Sequence, residues 1–304
     1  MIQGKTKEVY FRDEDNIVNP CLDNVFKAVF TKDTPESRGA LQKLLSAIIG
    51  RDLQVIVITA NEPPVEQMKE RQIRYDISCR LSDGEVCNIE MTLNPNADEP
   101  LRLEYYSGKL FTGQNIRGQD HSYKDLKHSY QISLIANKPV VKDDEVVHHF
   151  RYYDEERGIS LGGRTHIITL ELSKLDEIAQ KVVEEMTALE RWLVFFKYTP
   201  DKRKRELVNE IIKKEEGIAM AGEVLLSFTE EEAEYFRQLS ELKYELDLQS
   251  EIVEGKRAAR REGLQEGRQA EREKWQDVVA NKDTEIKELH AQLAELQAKL
   301  ADRK

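Results

Sequence analysis

The chain has 304 residues and a formal net charge of -11 at pH 7, with 34% charged and 39% hydrophobic residues. The length allows one sizeable core with an extension, or two small domains, and the high charged fraction indicates that part of the chain is not packed globule. The negative charge argues against a globally basic nucleic-acid binder but does not exclude a local basic groove.

No stretch approaches the roughly 20 apolar residues that a membrane span needs, and residues 1–5 begin no signal peptide. We therefore predict a soluble, cytoplasmic protein with no membrane partner. Three cysteines do not make a disulfide framework, and Cys79 and Cys87 are predicted to be buried thiols in a reducing compartment.

Two helices and a strand are predicted before residue 61. The first helix starts near Pro20 and places Asp23 and Lys27 four residues apart, where the default interpretation is an exposed ion pair. Its apolar residues, at helical spacing, are Leu22, Val25, Phe26, Val29 and Phe30. The second helix is predicted over residues 34–50 and the strand over residues 54–60.

The stretch RQIRYDISCRLSDGEVCNIEMTL, residues 71–93, predicts two strands joined by a turn. Residues 82–84 fit a three-residue hairpin loop with Gly84 in the left-handed conformation. That loop pairs Leu81 with Glu85 and fixes the register of the whole hairpin.

The register sorts the hairpin side chains into two faces. The predicted core face consists of Ile73, Tyr75, Ile77, Cys79, Leu81, Cys87, Ile89, Met91 and Leu93. The other face carries Arg74, Asp76, Ser78, Arg80, Val86, Asn88, Glu90 and Thr92. A two-residue loop would instead pair Leu81 with Val86 and put Asp76 and Glu90 on opposite faces.

Asp76 and Glu90 oppose each other in this register, with their Cβ atoms about 4.5 to 5.5 Å apart, where like charges repel. One explanation is a solvated ion-pair face in which Arg74 and Arg80 offset the repulsion. The other is a hard divalent cation such as Mg²⁺, which prefers one or two carboxylates with waters and phosphate oxygens. Spacing alone leaves both open.

A helix over residues 98–116 follows, on which Arg102 and Lys109 face either phosphate or solvent. Three more strands are predicted at residues 129–136, 148–153 and 166–172. This mixture of helices and strands predicts an α/β or α+β fold with one central mixed sheet.

Only helices are predicted after residue 174, at residues 175–198, 201–217 and 229–248. Thr229 with Glu232 is a capping box. In the charged tail, residues 249–304, steps of three and four predict a short heptad pattern and a homomeric coiled coil. The seam residues are Trp275, Val279, Ile286, Leu289, Leu293, Leu296 and Leu300, interrupted by Lys282.

Three motifs together resemble the PD-(D/E)XK nuclease family transposases, also called the recombination-promoting nuclease family. They are Asp23-x-x-Phe26-Lys27 on a helix, Asp76 on a strand, and Asn88-Ile89-Glu90-Met91 on the next strand. The likeness extends through Tyr105-Tyr106, Gly118, the strand at 129–134 and the glycine-punctuated tail.

The resemblance implies an α/β restriction-endonuclease-like core, with a central mixed sheet flanked by helices, followed by a helical region and a coiled-coil tail. The expected divisions are a polar lead-in at 1–18, the nuclease-like core at 19–175, a helical region at 176–248 and the tail at 249–304.

The resemblance also implies metal-dependent cleavage of DNA, with Asp76 and Glu90 as ligands of Mg²⁺ or Mn²⁺ and Asp23 as a helix-borne acidic partner. The catalytic position two residues after the glutamate is usually Lys in this superfamily and commonly Gln in this branch, but here it is Thr92. Threonine can hydrogen-bond water or phosphate, but it supplies no positive charge and no lysine base. Arg74, opposite Thr92 in the predicted register, supplies charge but accepts no proton.

Two functions follow as hypotheses. The first is a DNA endonuclease whose basic side chains Arg74, Arg80, Arg102 and Lys109 hold the DNA backbone. The second is a catalytically weakened or inactive DNA-binding or assembly protein on the same fold, multimerised through the tail. The carboxylate pair favours the first, and Thr92 with the net charge of -11 favours the second.

Overall fold

A six-stranded mixed sheet organises the computed structural model, which describes residues 9–59, 74–114, 116 and 122–301. Its strands are β1 (Val55–Ile58), β2 (Ile77–Leu81), β3 (Val86–Thr92), β4 (Ser129–Ile135), β5 (Val147–Phe150) and β8 (Thr165–Glu171). Two short strands, β6 (Tyr153–Asp154) and β7 (Ile159–Ser160), form a separate hairpin. The sheet order is β1-β2-β3-β4-β8-β5, and β3, β4 and β8 run parallel to one another. The predicted central mixed sheet is confirmed.

The hairpin of β2 and β3 has the register that a three-residue loop predicts. The Leu81 amide donates to the Glu85 carbonyl at 2.9 Å, and Cys79 pairs with Cys87. Gly84 has φ +83°, a conformation that a side chain would strain. Continuing the register places Asp76, just before β2, opposite Glu90.

One face of the sheet packs against five helices. They are α1 (Asp23–Thr31), α2 (Pro35–Ile49), α4 (Ala188–Tyr198), α5 (Arg205–Lys214) and α6 (Glu216–Leu226). Apolar residues from the strands and helices form one core, in which Phe26, Ile89 and Trp192 are fully buried. The three cysteines are free and buried, as predicted for Cys79 and Cys87.

The other face lies under a single helix, α3 (Glu99–Thr112), and is unusually polar. Its buried polar side chains on β3 and β4 are Asn88, Glu90, Ser129, Gln131 and Ser133. The alternative of a solvated carboxylate face is therefore wrong for Glu90, whose exposed fraction is 2%. Tyr75 was predicted on the core face but packs with Tyr106 and Leu110 of α3, since the chain enters β2 only at Ile77.

Several predicted elements differ from the structure. The segment 175–198 is helical only from Ala188, because the Thr187 side chain and Glu190 form a capping box there. Before it lie two 3₁₀ turns, Ile178–Gln180 and Val183–Glu185. Helix α6 was not predicted.

The predicted polar lead-in also contributes to the core. Phe11 is fully buried, and its backbone exchanges two hydrogen bonds of 2.9 Å with the Asn209 side chain. The division of the chain at residue 18 stays a prediction. Residues 1–8, the last residue of the predicted strand at 54–60, Ile73 and Gly118 lie outside the described residues.

The last helix, α7 (Glu230–Ala301), is continuous for 72 residues. Its start is the predicted capping box, in which the Glu232 amide donates to Thr229 Oγ1 at 3.1 Å. The chain divides into two compact units at residues 1–240 and 241–304. None of the helices in the described part of the chain is long and apolar enough to cross a membrane.

Candidate active site

Asp76 lies between the backbone of β3 and helix α1. Its Oδ2 accepts a 3.1 Å hydrogen bond from the Met91 amide, and its Oδ1 is 3.0 Å from Lys27 Nζ. The same ammonium is 2.9 Å from Asp23 Oδ1. The Asp23–Lys27 pair, predicted to be exposed, is thus mostly buried and includes a third partner.

The protonation of these groups follows from burial and from their mutual charges. Burial lowers the pKa of Lys27, but the charges of Asp76 and Asp23 outweigh burial and raise this pKa above its usual value. Burial first, and then the charge of Asp23, raise the pKa of Asp76 in spite of Lys27. Lys27 therefore stays a cation at neutral pH and cannot serve as a base.

Glu90 lies on the polar face of β3 beneath α3. Its Oε1 accepts a 3.0 Å hydrogen bond from Asn88 Nδ2, whereas its buried Oε2 accepts none from the described residues. Arg102 Nη2 is 3.3 Å from that oxygen. Burial, only partly offset by Arg102, raises the pKa of Glu90 to about 7, and the charge of nearby Asp76 adds to the rise.

Arg102 joins three side chains of the site. Its guanidinium contacts both carboxylate oxygens of Glu99, at 2.8 and 3.1 Å, and donates to Thr92 Oγ1 at 3.0 Å. Burial lowers the pKa of Arg102, but Glu99 and Glu90 outweigh burial and raise it. Arg102 was predicted on a strip that contacts DNA; here its guanidinium lies against the carboxylates.

A divalent cation fits part of this arrangement. Asp76 and Glu90 offer hard oxygen ligands, and the unbonded Glu90 Oε2 is the kind of buried atom that a cation satisfies. Asp23, the predicted third acidic partner, pairs with Lys27. Among the described residues, no group of three or more His, Cys, Asp or Glu side chains is arranged to hold a metal. The fit is to a site with two carboxylates, completed by water and phosphate.

The other predicted DNA-contacting residues lie on the hairpin and on α3. Arg74 and Arg80 are exposed on the hairpin. Lys109 is half-buried on α3, with its ammonium 5.9 Å from the centre of the Tyr105 ring. A DNA-contacting role for these residues stays a prediction.

The roles of Lys27 and Glu99 in the site were not predicted from the sequence. Lys27 was assigned only a local ion pair, although its spacing within the Asp23-x-x-Phe26-Lys27 motif marked it for attention. Glu99 gave no signal beyond a helix start, because its contact with Thr92 depends on how α3 crosses the sheet, although its i,i+3 pair with Arg102 is local to α3.

The comparisons with known proteins bear on the family. A family model described as PD-(D/E)XK nuclease family transposase matches residues 20–255, which is most of the chain. Comparisons with curated proteins and with solved structures each gave no significant match. The matched residues include Asp23, Asp76 and Glu90 and the whole six-stranded sheet. The chain therefore belongs to the PD-(D/E)XK nuclease family transposases.

Proposed function

We propose that this chain is a metal-dependent DNA endonuclease that hydrolyses phosphodiester bonds. The observation that carries the proposal is the opposition of Asp76 and Glu90, with Glu90 buried and its Oε2 unused by any hydrogen bond from the described residues. Family membership supports a nuclease-like function with DNA as the substrate.

Asp76 and Glu90 would hold the cation, Mg²⁺ or Mn²⁺, with Asp23 as a neighbouring acid. When bound, the cation supplies positive charge to the scissile phosphate and lowers the pKa of the attacking water. The Met91 amide orients Asp76 through its hydrogen bond to Oδ2. Asn88 orients Glu90 in the same way through Oε1, which leaves Oε2 facing Arg102 with no hydrogen bond from the described residues.

Lys27 provides the positive charge that Thr92 lacks. Its ammonium lies 3.0 Å from Asp76 and stays protonated, so its role is to place charge beside the phosphate and not to remove a proton. Thr92 contributes a hydroxyl that accepts from Arg102, and Arg102 in turn faces Glu90. Exposed Arg74 and Arg80, with Lys109 on α3, would hold the DNA backbone.

Cleavage of supercoiled plasmid DNA by the purified full chain tests the proposal. With Mg²⁺ or Mn²⁺ we expect nicking or linearisation, and a loss of at least about 100-fold in rate for Asp76→Asn and for Glu90→Gln. Asp98→Asn is a matched control, because Asp98 precedes α3 but its side chain makes no capping hydrogen bond. Equal cleavage by all four proteins would reject the assignment.

A second candidate is a DNA-binding or assembly protein that does not cut. It is favoured by the two cations, Lys27 and Arg102, that already face the carboxylates. Titration calorimetry separates the candidates: the endonuclease predicts Mn²⁺ binding that disappears in Glu90→Gln, whereas the second predicts no Glu90-dependent heat.

We further propose that the tail forms a homomeric coiled coil. In the single chain, Trp275, Val279 and Leu289 are each more than half exposed, and they share the heptad seam. A helix of 72 residues with an exposed apolar seam gains free energy by pairing that seam with a second copy.

A further inference from the structure

A cavity of about 620 Å³ opens between α3 and the polar face of β8. Its lining comes from residues 100–108 of α3, from residues 140–142, from residues 150–152 and from alternate residues of β8. The volume is within the range of roughly 300 to 1,000 Å³ that is usual for small-ligand sites. The cavity is separate from the carboxylates but shares α3 with them.

Ser107 gives the cavity an unused polar group. The residue is only 2% exposed, and its Oγ makes no hydrogen bond with any described residue. The hydroxyls of Thr165 and Thr169 line the opposite wall on β8. A buried hydroxyl without a partner is costly, and a ligand with a polar edge would satisfy it.

Two aromatic side chains stand at the cavity and are unusually exposed. Phe150 is 45% exposed and Tyr152 is 56% exposed. The Tyr152 ring lies against Gly163, where an added Cβ would be 2.8 Å from Cδ2, so the glycine makes room for the ring. Exposed, held aromatic rings are the surfaces on which nucleobases stack.

The charged residues of the lining favour a ligand in which an anionic group is attached to a planar base. Lys142 and Arg151 contribute to the lining, and Glu104 is its single acid. The Arg151 guanidinium contacts His149, which faces the other side of the sheet, so Lys142 is the cation of the lining that faces the cavity. The remainder of the lining is mostly apolar, including Leu103 and Ile167. A planar base with a phosphate matches this combination of apolar walls, aromatic rings and positive charge.

The sheet register gives the distance from the cavity to Glu90. Glu90 pairs with Ser133 on β4, and Ser133 pairs with Thr169 on β8, a cavity residue. Two strand spacings amount to about 10 Å. That span corresponds to roughly three base steps at about 3.4 Å each.

We propose that this cavity binds one nucleotide of the DNA substrate that has left the base stack, within about three nucleotides of the scissile phosphate. The base stacks on Phe150 and Tyr152, its polar edge meets Ser107, and its phosphate meets Lys142. This proposal rests on the proposed function, because it takes DNA at Glu90 as its starting point.

The test compares the affinity of the full chain for two short DNA duplexes, one fully paired and one with a single unpaired adenine. Ca²⁺ replaces Mg²⁺, and fluorescence anisotropy reports binding. We expect about tenfold tighter binding of the duplex with the unpaired base. Phe150→Ala and Tyr152→Ala are expected to bring the ratio close to one. Tyr153→Ala is the matched control, since Tyr153 is 63% exposed but does not line the cavity.

Equal affinity of the unaltered chain for both duplexes would overturn the proposal, as would a preference that survives in Tyr152→Ala and Phe150→Ala. Free deoxyadenosine monophosphate is the third probe. If the protein binds this nucleotide as tightly as the duplex with the unpaired adenine, the cavity is a site for a free nucleotide instead. Binding requires no hydrolysis. If the protein binds both duplexes equally but still cleaves plasmid DNA, the result counts against the cavity proposal alone. A clear ratio without cleavage counts against the endonuclease alone.

Discussion

Lys27 places a positive charge beside Asp76 that the sequence did not predict there. Position 92 is a threonine, which carries no positive charge, and α1 brings the Lys27 ammonium to within 3.0 Å of Asp76. The cost of burying Lys27 is offset by two carboxylates within 3.0 Å. Under the proposed function, the positive charge comes from helix α1 instead of from strand β3.

Substitution of Lys27 tests this role. Lys27→Met should lower the plasmid cleavage rate by about tenfold or more, because it removes positive charge beside the phosphate, and Lys27→Arg should restore much of the rate. Lys43→Met, which removes an exposed ammonium from α2, is the control and should cleave normally. A merely structural role for Lys27 would show as a lower melting temperature, with no recovery of rate in the arginine variant.

At the scale of elements, three histidines in hydrogen-bond contact connect the start of β4 with β8 and β5. His128 Nδ1 is 2.7 Å from His166 Nε2, and His149 Nε2 is 2.9 Å from His166 Nδ1. Arg151 Nε can only donate, so its 3.2 Å contact makes His149 Nε2 an acceptor. We therefore assign the proton of His166 to Nδ1 and that of His128 to Nδ1, with His166 neutral.

The three hydrogen-bonded histidines predict that the folded protein becomes less stable in acid. Burial, followed by the charges of Arg151, His149 and His128, lowers the pKa of His166 to about 4. Below pH 6.5, His166 is protonated in the unfolded protein but stays neutral in the folded protein. The contribution of His166 to the free energy of unfolding is therefore complete above pH 6.5 and is lost as the pH falls towards 4. The loss in the free energy of unfolding should be about 1 to 2 kcal/mol, because solvent screening reduces it below what the full pKa shift implies.

Urea unfolding between pH 7.5 and 4, followed by Trp192 fluorescence in a Trp275→Phe background, measures the effect. The raised pKa of Glu90 contributes with the opposite sign over this range, so the effect of His166 is measured as the difference in the free energy of unfolding between the unaltered chain and His166→Gln. That difference should decrease as the pH falls from 6.5 towards 4, whereas the difference for His290→Gln on exposed α7 should not change with pH. An equally steep dependence in His166→Gln would contradict the assignment.

The elements that could be predicted from the sequence are those whose determinants are local. The loop at Gly84 sets the hairpin register, and the caps at Thr34 and Thr229 set two helix starts. What could not be predicted depends on pairing between distant segments. The burial of Glu90 requires parallel β4 beside β3 and α3 above them, and neither contact is encoded near residue 90.

For the whole molecule, the tail should decide the oligomeric state. The described seam residues of unit 241–304 are exposed in one chain, so we expect the full chain to self-associate. Light scattering should give a multiple of the chain mass for the full protein and a single chain mass after truncation at Ser240. Leu289→Glu with Leu293→Glu should dissociate the full chain, while the off-seam change Gln292→Glu should not. A monomeric full chain would contradict the coiled coil.

Joint binding of one divalent cation by Asp76 and Glu90 is the central claim of the account. A crystal structure of the full chain soaked with Mn²⁺, with anomalous diffraction data, tests this claim most directly. The account predicts one anomalous peak about 2.0 to 2.3 Å from a carboxylate oxygen of each residue, and no such peak in Glu90→Gln. A peak that contacts neither carboxylate, or no peak at saturating Mn²⁺, would contradict it.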